Sequence, residues 1–209
     1  MLKGIIFDFD GVIAESVRIK SNAFAELYNP YGTDIEKKVV GHHEANGGMS
    51  RFEKIRLYHG SFLNKVITEE QITDLASQFS ELVVEKVINA PYVPGALEYL
   101  KKSHKQYKLF ISTGTPTEEM KQILNGRRIA HYFIDVFGSP EKKILHMNNI
   151  LSNYNFNPDE LIFYGDGNSD LDAAENLNIE FILISNQYNK ILSSKYKGRK
   201  INNFRELLN

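Results

Sequence analysis

Residues 3–16 read KGIIFDFDGVIAES, an apolar run of Ile and Phe into which two carboxylates, Asp8 and Asp10, are set one residue apart. Gly-Ile-Ile-Phe with no polar interruption is the pattern of a strand buried on both faces, as in a parallel sheet. Residues i and i+2 of a strand point to the same side, so Asp8 and Asp10 are expected side by side. Two carboxylates that close repel unless a cation lies between them. A hard cation that takes oxygen ligands and retains water, Mg²⁺ above all, suits such a pair. Gly11 lets the backbone turn away sharply behind them.

Working outward, further short apolar runs at 108–112, 132–137, 161–165 and 181–184 read as strands. Helix-length segments separate them: 94–102, 116–125 (with Thr115 as its N-cap), 141–154 and 171–177. Strand alternating with helix predicts an α/β fold, a doubly wound parallel, Rossmann-like sheet. The alternation fails between residues 16 and 89, where no strand-like run occurs and apolar residues such as Phe79, Leu82, Val83 and Val87 recur at helical spacing. This predicts a helical cap, 16–89, inserted after the first strand of a core formed by 1–15 and 90–209. Linkers are expected near 14–16 and 89–93. The tail from 190 onward is polar and basic, then weakly helical.

Composition bounds the function. The 209 residues carry a formal net charge of -1, so no global field points to nucleic acid or an anionic membrane surface. There are no cysteines, which excludes disulfides, a thiol nucleophile and a cysteine-based metal site. The first apolar run is too short to span a membrane and is broken by Asp8 and Asp10, so a cytoplasmic protein is the expectation.

Four segments end predicted strands, at the sheet edge where ligands of open α/β sheets bind. Beside Asp8-Phe9-Asp10-Gly11 stand Ser112-Thr113-Gly114-Thr115-Pro116, a hydroxyl-rich turn into a helix; Gly138-Ser139-Pro140-Glu141-Lys142-Lys143, with two candidate lysines; and Gly165-Asp166-Gly167-Asn168-Ser169-Asp170, a second acidic cluster. Each has a plain alternative: solvated strand ends, a capping loop, surface lysines, and a Gly/Asn/Asp turn with Asp170 as N-cap. Together they bring acids, hydroxyl and lysine to one edge, the parts that phosphoryl transfer through an aspartate requires.

In this order DFDGV, STGT, a lysine of SPEKK and GDGNSD resemble the four motifs of the haloacid dehalogenase superfamily, in its Mg²⁺-dependent phosphatase branch. The resemblance covers about residues 1–15 and 90–185. The insertion after the first motif resembles the small helical cap of phosphoglycolate phosphatases and β-phosphoglucomutase. The resemblance implies Asp8 as nucleophile, Asp10 as general acid and then base, and Ser112 with Thr113 and Gly114 around the transferring oxygens. It implies Lys143, in preference to Lys142, as their neutraliser. Mg²⁺ is expected on Asp8, the Asp10 backbone carbonyl and Asp166, with Asp170 beside it through water or Lys143. Thr113 departs from the family's frequent Asn.

A phosphomutase of this type usually has His twelve residues beyond the nucleophile, where this chain has Lys20. A dehalogenase needs neither Mg²⁺ nor the second aspartate. A phosphonatase needs a cap lysine forming a Schiff base, for which Lys20 and Lys54 are candidates. A non-catalytic binding module is a further alternative. Within the cap, Gly48-Met49-Ser50-Arg51 resembles a turn of β-phosphoglucomutase-like caps, and Ser50 with Glu53 forms a capping-box pattern. This corner is expected to hang over the metal site. Arg51, with Lys54 and His43 as helpers, would read the far end of a small phosphorylated metabolite, whether sugar phosphate or phosphoglycolate-like. Neither a nucleic-acid nor a membrane partner is expected.

Overall fold

A computed structural model describes residues 1–208. Among these, six strands form one all-parallel sheet in the order β3-β2-β1-β4-β5-β6: β1 (Gly4–Phe7), β2 (Lys108–Pro116), β3 (Phe133–Ser139), β4 (Leu161–Gly165), β5 (Glu180–Ile184) and β6 (Lys200–Ile201). The α/β, doubly wound expectation is met. The chain starts mid-sheet and reverses direction between β1 and β4, which opens a crevice at the carboxyl ends of these central strands.

Strand alternation divides the core into two layers. Ile5 and Phe7 pack with Leu109 and Ile111 against α5 (Ala96–Ser103) and α6 (Thr117–Gly126). Ile6, Phe110 and Phe163 pack against Met147 and Ile150 of α7 (Lys143–Tyr154) and Ala173 and Ala174 of α8 (Asn168–Asn176). With apolar neighbours on both faces, the central strands have no polar side, hence the uninterrupted Ile and Phe run.

Between β1 and α5 the described chain contains α1 (Val17–Tyr28), α2 (Thr33–Ala45), α3 (Arg51–Leu57) and α4 (Glu69–Ile88). Helix α4 starts on a reciprocal Thr68–Gln71 capping box and buries Ile72, Ala76, Phe79, Val83 and Val87, one stripe at helical spacing. At the foot of these helices the two connecting segments run antiparallel, joined by Glu15 N–H to Pro91 O (2.9 Å) and Val93 N–H to Ile13 O (3.0 Å). Arg127 at the end of α6 donates to the carbonyls of Val87, Ile88 and Ala90, holding the exit of α4.

Several local expectations are corrected. Strand β2 continues to Pro116, so Thr115 lies in the strand and caps nothing, and α6 begins at Thr117 with no side-chain cap. Asp170 is not an N-cap. It lies in the first turn of α8, and its carboxylate accepts the Gly167 N–H (2.9 Å). The polar tail forms α9 (Lys190–Lys195) and then β6, a two-residue edge strand too short to leave an apolar signal. Ser50 does cap α3, accepting the Glu53 N–H at 3.3 Å.

Candidate active site

Asp8 follows β1, and Asp166 and Asp170 follow β4, its neighbour in the sheet. All three are buried, and they offer carboxylate oxygens that lie within 4.8 Å of one another. Lys143, the first residue of α7, reaches into this cluster. It is paired with Asp8 at 2.8 Å and with Asp170. The other candidate, Lys142, is 74% exposed and stands off the cluster. The Phe9 N–H fixes Asp8 from the opposite oxygen at 2.7 Å. Asp170 gives its second oxygen to the N–H groups of Asp166 (3.1 Å) and Gly167 (2.9 Å), so both its oxygens are engaged within the protein.

Burial dominates the acid–base character of the cluster. It pushes Asp8 up to about 6, against the pull of Lys143 and with a further push from Asp170. It also pushes Asp166 well above the usual carboxylate range, with the charges of Asp8 and Asp170 adding to the effect. Burial alone would lower Lys143, but its two carboxylate partners raise it and hold it charged. Three carboxylates and one ammonium leave a formal charge of 1 − 3 = −2 when all are ionised. A buried dianionic cage built of oxygens fits a hard divalent cation. Asp166 keeps Oδ1 free of hydrogen bonds, whereas Asp8 is engaged by Phe9 N–H and Lys143, and Asp170 reaches the site through Lys143.

Asp10 departs from the expected side-by-side arrangement. Strand β1 ends before Asp8, and the chain turns through Gly11. The Asp10 carboxylate faces the helical segment instead, accepting from Ser16 Oγ (2.5 Å) and Lys20 Nζ. Lys20 also donates to Thr115 Oγ1 (2.7 Å). Burial raises the Asp10 carboxyl, but the attraction of Lys20 and the two hydrogen bonds outweigh it and hold it below the usual value. Its side chain is therefore outside the Asp8–Asp166–Asp170 cluster.

Ser112 is fully buried at the carboxyl side of β2, 3.0 Å from His146 Nδ1. The other ring nitrogen of His146 lies 3.1 Å from the Gly138 carbonyl, which can only accept. Burial and the nearby Lys143 charge push His146 down to about 4. The neutral ring thus carries its proton on Nε2, and the Ser112 hydroxyl donates to Nδ1. Thr113 turns its hydroxyl back to the Thr115 N–H (3.2 Å).

Above the cluster lies a cavity of about 520 Å³, lined by Asp8, Asp10, Gly114 and Asp166 below and by Lys20, His43, Gly47, Gly48, Arg51 and Lys54 of the helical segment. The Gly47–Gly48 corner closes directly on the sheet edge. Ser169 Oγ donates to Gly47 O at 3.2 Å, and a Cβ on Gly114 would stand 2.7 Å from Gly48 O. Arg51 lines the cavity, but its guanidinium forms a two-pronged pair with Glu119 of α6 at 2.8 and 2.5 Å. Ser80 accepts from it at 2.6 Å.

Sequence reasoning missed Ser16, Glu119, His146, Asn186 and Asn189. Asn186 donates to Asp166 Oδ2 (2.8 Å), and Asn189 donates to Asp166 O (2.9 Å) and Ile184 O (2.8 Å). Both follow β5, and the strand-end argument applied to the other segments would have found them.

An open parallel sheet with an acidic cluster at its switch point and a helical insertion over the site defines a doubly wound α/β protein with its ligand crevice at the carboxyl ends of the central strands. The sequence profile of the haloacid dehalogenase-like hydrolases matches residues 5–184, and the chain belongs to that family. A phosphorylated carbohydrates phosphatase of Thermotoga maritima is 29% identical over 194 residues, covering 87% of this chain and 84% of its own. A phosphoglycolate phosphatase of Psychrobacter arcticus is 28% identical over 204 residues, covering 88% and 84%. Among solved structures, a β-phosphoglucomutase of Clostridium difficile superposes with a TM-score of 0.78 at 23% identity, covering 99% of this chain and 93% of its own.

Proposed function

We propose that the chain is a Mg²⁺-dependent phosphatase that hydrolyses a small phosphate monoester through an aspartyl phosphate on Asp8. The observation that carries this reading is the buried Asp8–Lys143–Asp170–Asp166 cluster, in which three carboxylates meet a single ammonium. The phosphatase names of the two relatives agree with it. Asp8 and Asp166 would hold the metal, which when bound neutralises the carboxylates and the charge on the transferring phosphoryl group.

The chain's own groups do the rest. Asp8, aimed by Phe9 N–H and Lys143, attacks phosphorus, and the ester oxygen leaves with a proton. Lys143 supplies positive charge where the equatorial oxygens gather it. Asp10, held ionised by Lys20, is in the correct state to take a proton from water in the second step. For the first step it must be protonated, which the arriving phosphate promotes by competing for Lys20. Ser112 can donate to a phosphate oxygen only by turning from His146, so that role requires a rotation. The Gly47–Gly48 corner excludes water from the reaction.

The test is phosphate release from an aryl phosphate. Asp8→Asn should abolish it, and chelation should abolish it until Mg²⁺ is restored. Full activity in chelator would overturn the reading. A phosphonatase has one observation in its favour: Lys54 is buried and pushed by burial and by the Lys20 charge down to about 7, so part of it is neutral and nucleophilic at neutral pH. Borohydride trapping of Lys54 with phosphonoacetaldehyde would establish that reading, and an untrapped lysine would remove it.

A further inference from the structure

Four cationic side chains around the reaction centre are buried: Lys20, Arg51, Lys54 and Lys143. Three have carboxylate partners, Lys20 with Asp10, Arg51 with Glu119, and Lys143 with Asp8 and Asp170. Lys54 has none. It is 2% exposed, in the middle of α3, and its Nζ lies 2.9 Å from Nδ1 of the neutral His43 ring and over the face of the Phe24 ring, 5.9 Å from its centroid. A buried amine without a counter-charge gives up part of its charge, and an anion placed beside it would restore that charge and complete the pair. Lys54 and His43, from the helical segment, both line the cavity that contains Asp8 and Asp166.

We propose that Lys54 and His43 form an anion subsite that receives a second anionic group of the substrate, a carboxylate or a second phosphate, at the far end from the ester. The proposal rests on the phosphatase reading and narrows it from phosphate esters at large to doubly anionic ones. It also moves far-end recognition from Arg51, whose guanidinium is neutralised by Glu119, to Lys54 one turn along the same helix. A neutral sugar hydroxyl would leave the Lys54 charge uncompensated, whereas an anion completes the pair. His43 accepts from Lys54 through Nδ1 and therefore carries its proton on Nε2, which makes it a second donor. Burial and the Lys54 charge hold His43 well below its ordinary value, so it stays neutral. The charged or titratable groups facing Lys54 are Lys20 on α1, His42 and His43 on α2, Glu53 on its own helix, and Asp10 and Lys143 from the sheet edge. Lys20 and Lys143 are balanced by Glu53 and Asp10, so the charge left to meet an arriving anion is that of Lys54 itself.

The test uses matched esters: ethyl phosphate, phosphoglycolate, and ethylene glycol bisphosphate. Wild-type enzyme should favour phosphoglycolate or the bisphosphate over ethyl phosphate by about 10- to 100-fold in kcat/KM, the scale of one charge-assisted hydrogen-bonded contact. Whichever anion is favoured identifies the second group. Lys54→Met, which keeps length and loses charge, should erase the preference, mainly through a raised KM for the doubly anionic esters. Because it removes an uncompensated buried charge, this variant should melt no lower than wild type, so misfolding is read separately. Calorimetry with phosphoglycolate in chelator, where no turnover occurs, reads the subsite apart from catalysis, and Lys54→Met should weaken binding about tenfold or more. Equal rates on all three esters with no effect of Lys54→Met would overturn the subsite and leave the phosphatase intact. Lack of turnover with Lys54-dependent binding would overturn the phosphatase reading and support the subsite. Binding that ignores Lys54 overturns the subsite in either case.

Discussion

Removing the Arg51 side chain tests whether it reads substrate or fastens the helical segment to the sheet. Arg51 lies on α3 and Glu119 in the first turn of α6, so their two-pronged pair ties the segment inserted after β1 to a helix flanking the sheet. Both are buried, at 4% and 9% exposure. Arg51→Met leaves the Glu119 carboxylate buried with Ser80 Oγ (2.6 Å) as its remaining side-chain donor. Breaking a buried pair from one side costs about 3–5 kcal/mol, because the abandoned charge cannot recover its hydration. Glu119→Leu should cost a similar amount by abandoning the guanidinium. The double variant removes both charges and should lose far less than the two singles added, a coupling of about 3 kcal/mol. Urea unfolding of the four proteins measures this. On activity, the broken fastening should lower kcat/KM for anionic and featureless phosphates alike. A stable Arg51→Met enzyme that loses only its doubly anionic substrates would refute this and return Arg51 to substrate recognition.

Metal binding should release protons, since burial raises Asp8 to about 6 and Asp166 further above the usual range, and both must ionise to ligate. Mg²⁺ affinity by calorimetry should therefore strengthen as pH rises from 5 to 7, and a flat profile would contradict it. Lys54 is depressed from 10.5 to about 7, so between those values the unfolded chain binds the extra proton. Its contribution to stability is then unfavourable below 7 and fades as pH rises toward 10.5. The difference in unfolding free energy between wild type and Lys54→Met should follow that sign, and a constant difference would argue against a buried charged lysine. Gly48 sits at φ +82°, where a Cβ would strike Ser169 Oγ and approach Lys143 Nζ to 3.2 Å. Gly48→Ala should destabilise by about 1–2 kcal/mol from the backbone alone and lower turnover by lifting the corner, as thermal melts and a phosphate-release assay would show.

The sheet was legible because its signal is local. Ile5, Ile6 and Phe7, or Leu161 to Tyr164, have no polar face to disguise the strand, and each is followed at once by its acidic or hydroxyl residues. The sixth strand was illegible because Lys200–Ile201 borrows its order from β5 and carries almost no pattern of its own. Within the site, Asp8, Lys143, Asp166 and Asp170 meet because strand ends of one sheet share one edge. What the sequence could not supply was pairing between distant segments. Nothing local to Arg51 points to Glu119, nothing local to Ser112 points to His146, and the turn of Asp10 toward Lys20 depends on where α1 docks. Long side chains buried by tertiary packing choose partners that spacing along the chain does not encode.

The central claim is that Asp8 carries the phosphoryl group, and rapid acid quench during turnover of a phosphate ester with Mg²⁺, followed by peptide mass mapping, tests it most directly. A transient phosphoryl adduct is expected on Asp8, absent from Asp8→Asn and longer-lived when Asp10→Asn slows its hydrolysis. Steady turnover with no adduct on the peptide containing Asp8, or an adduct on another residue, would contradict it.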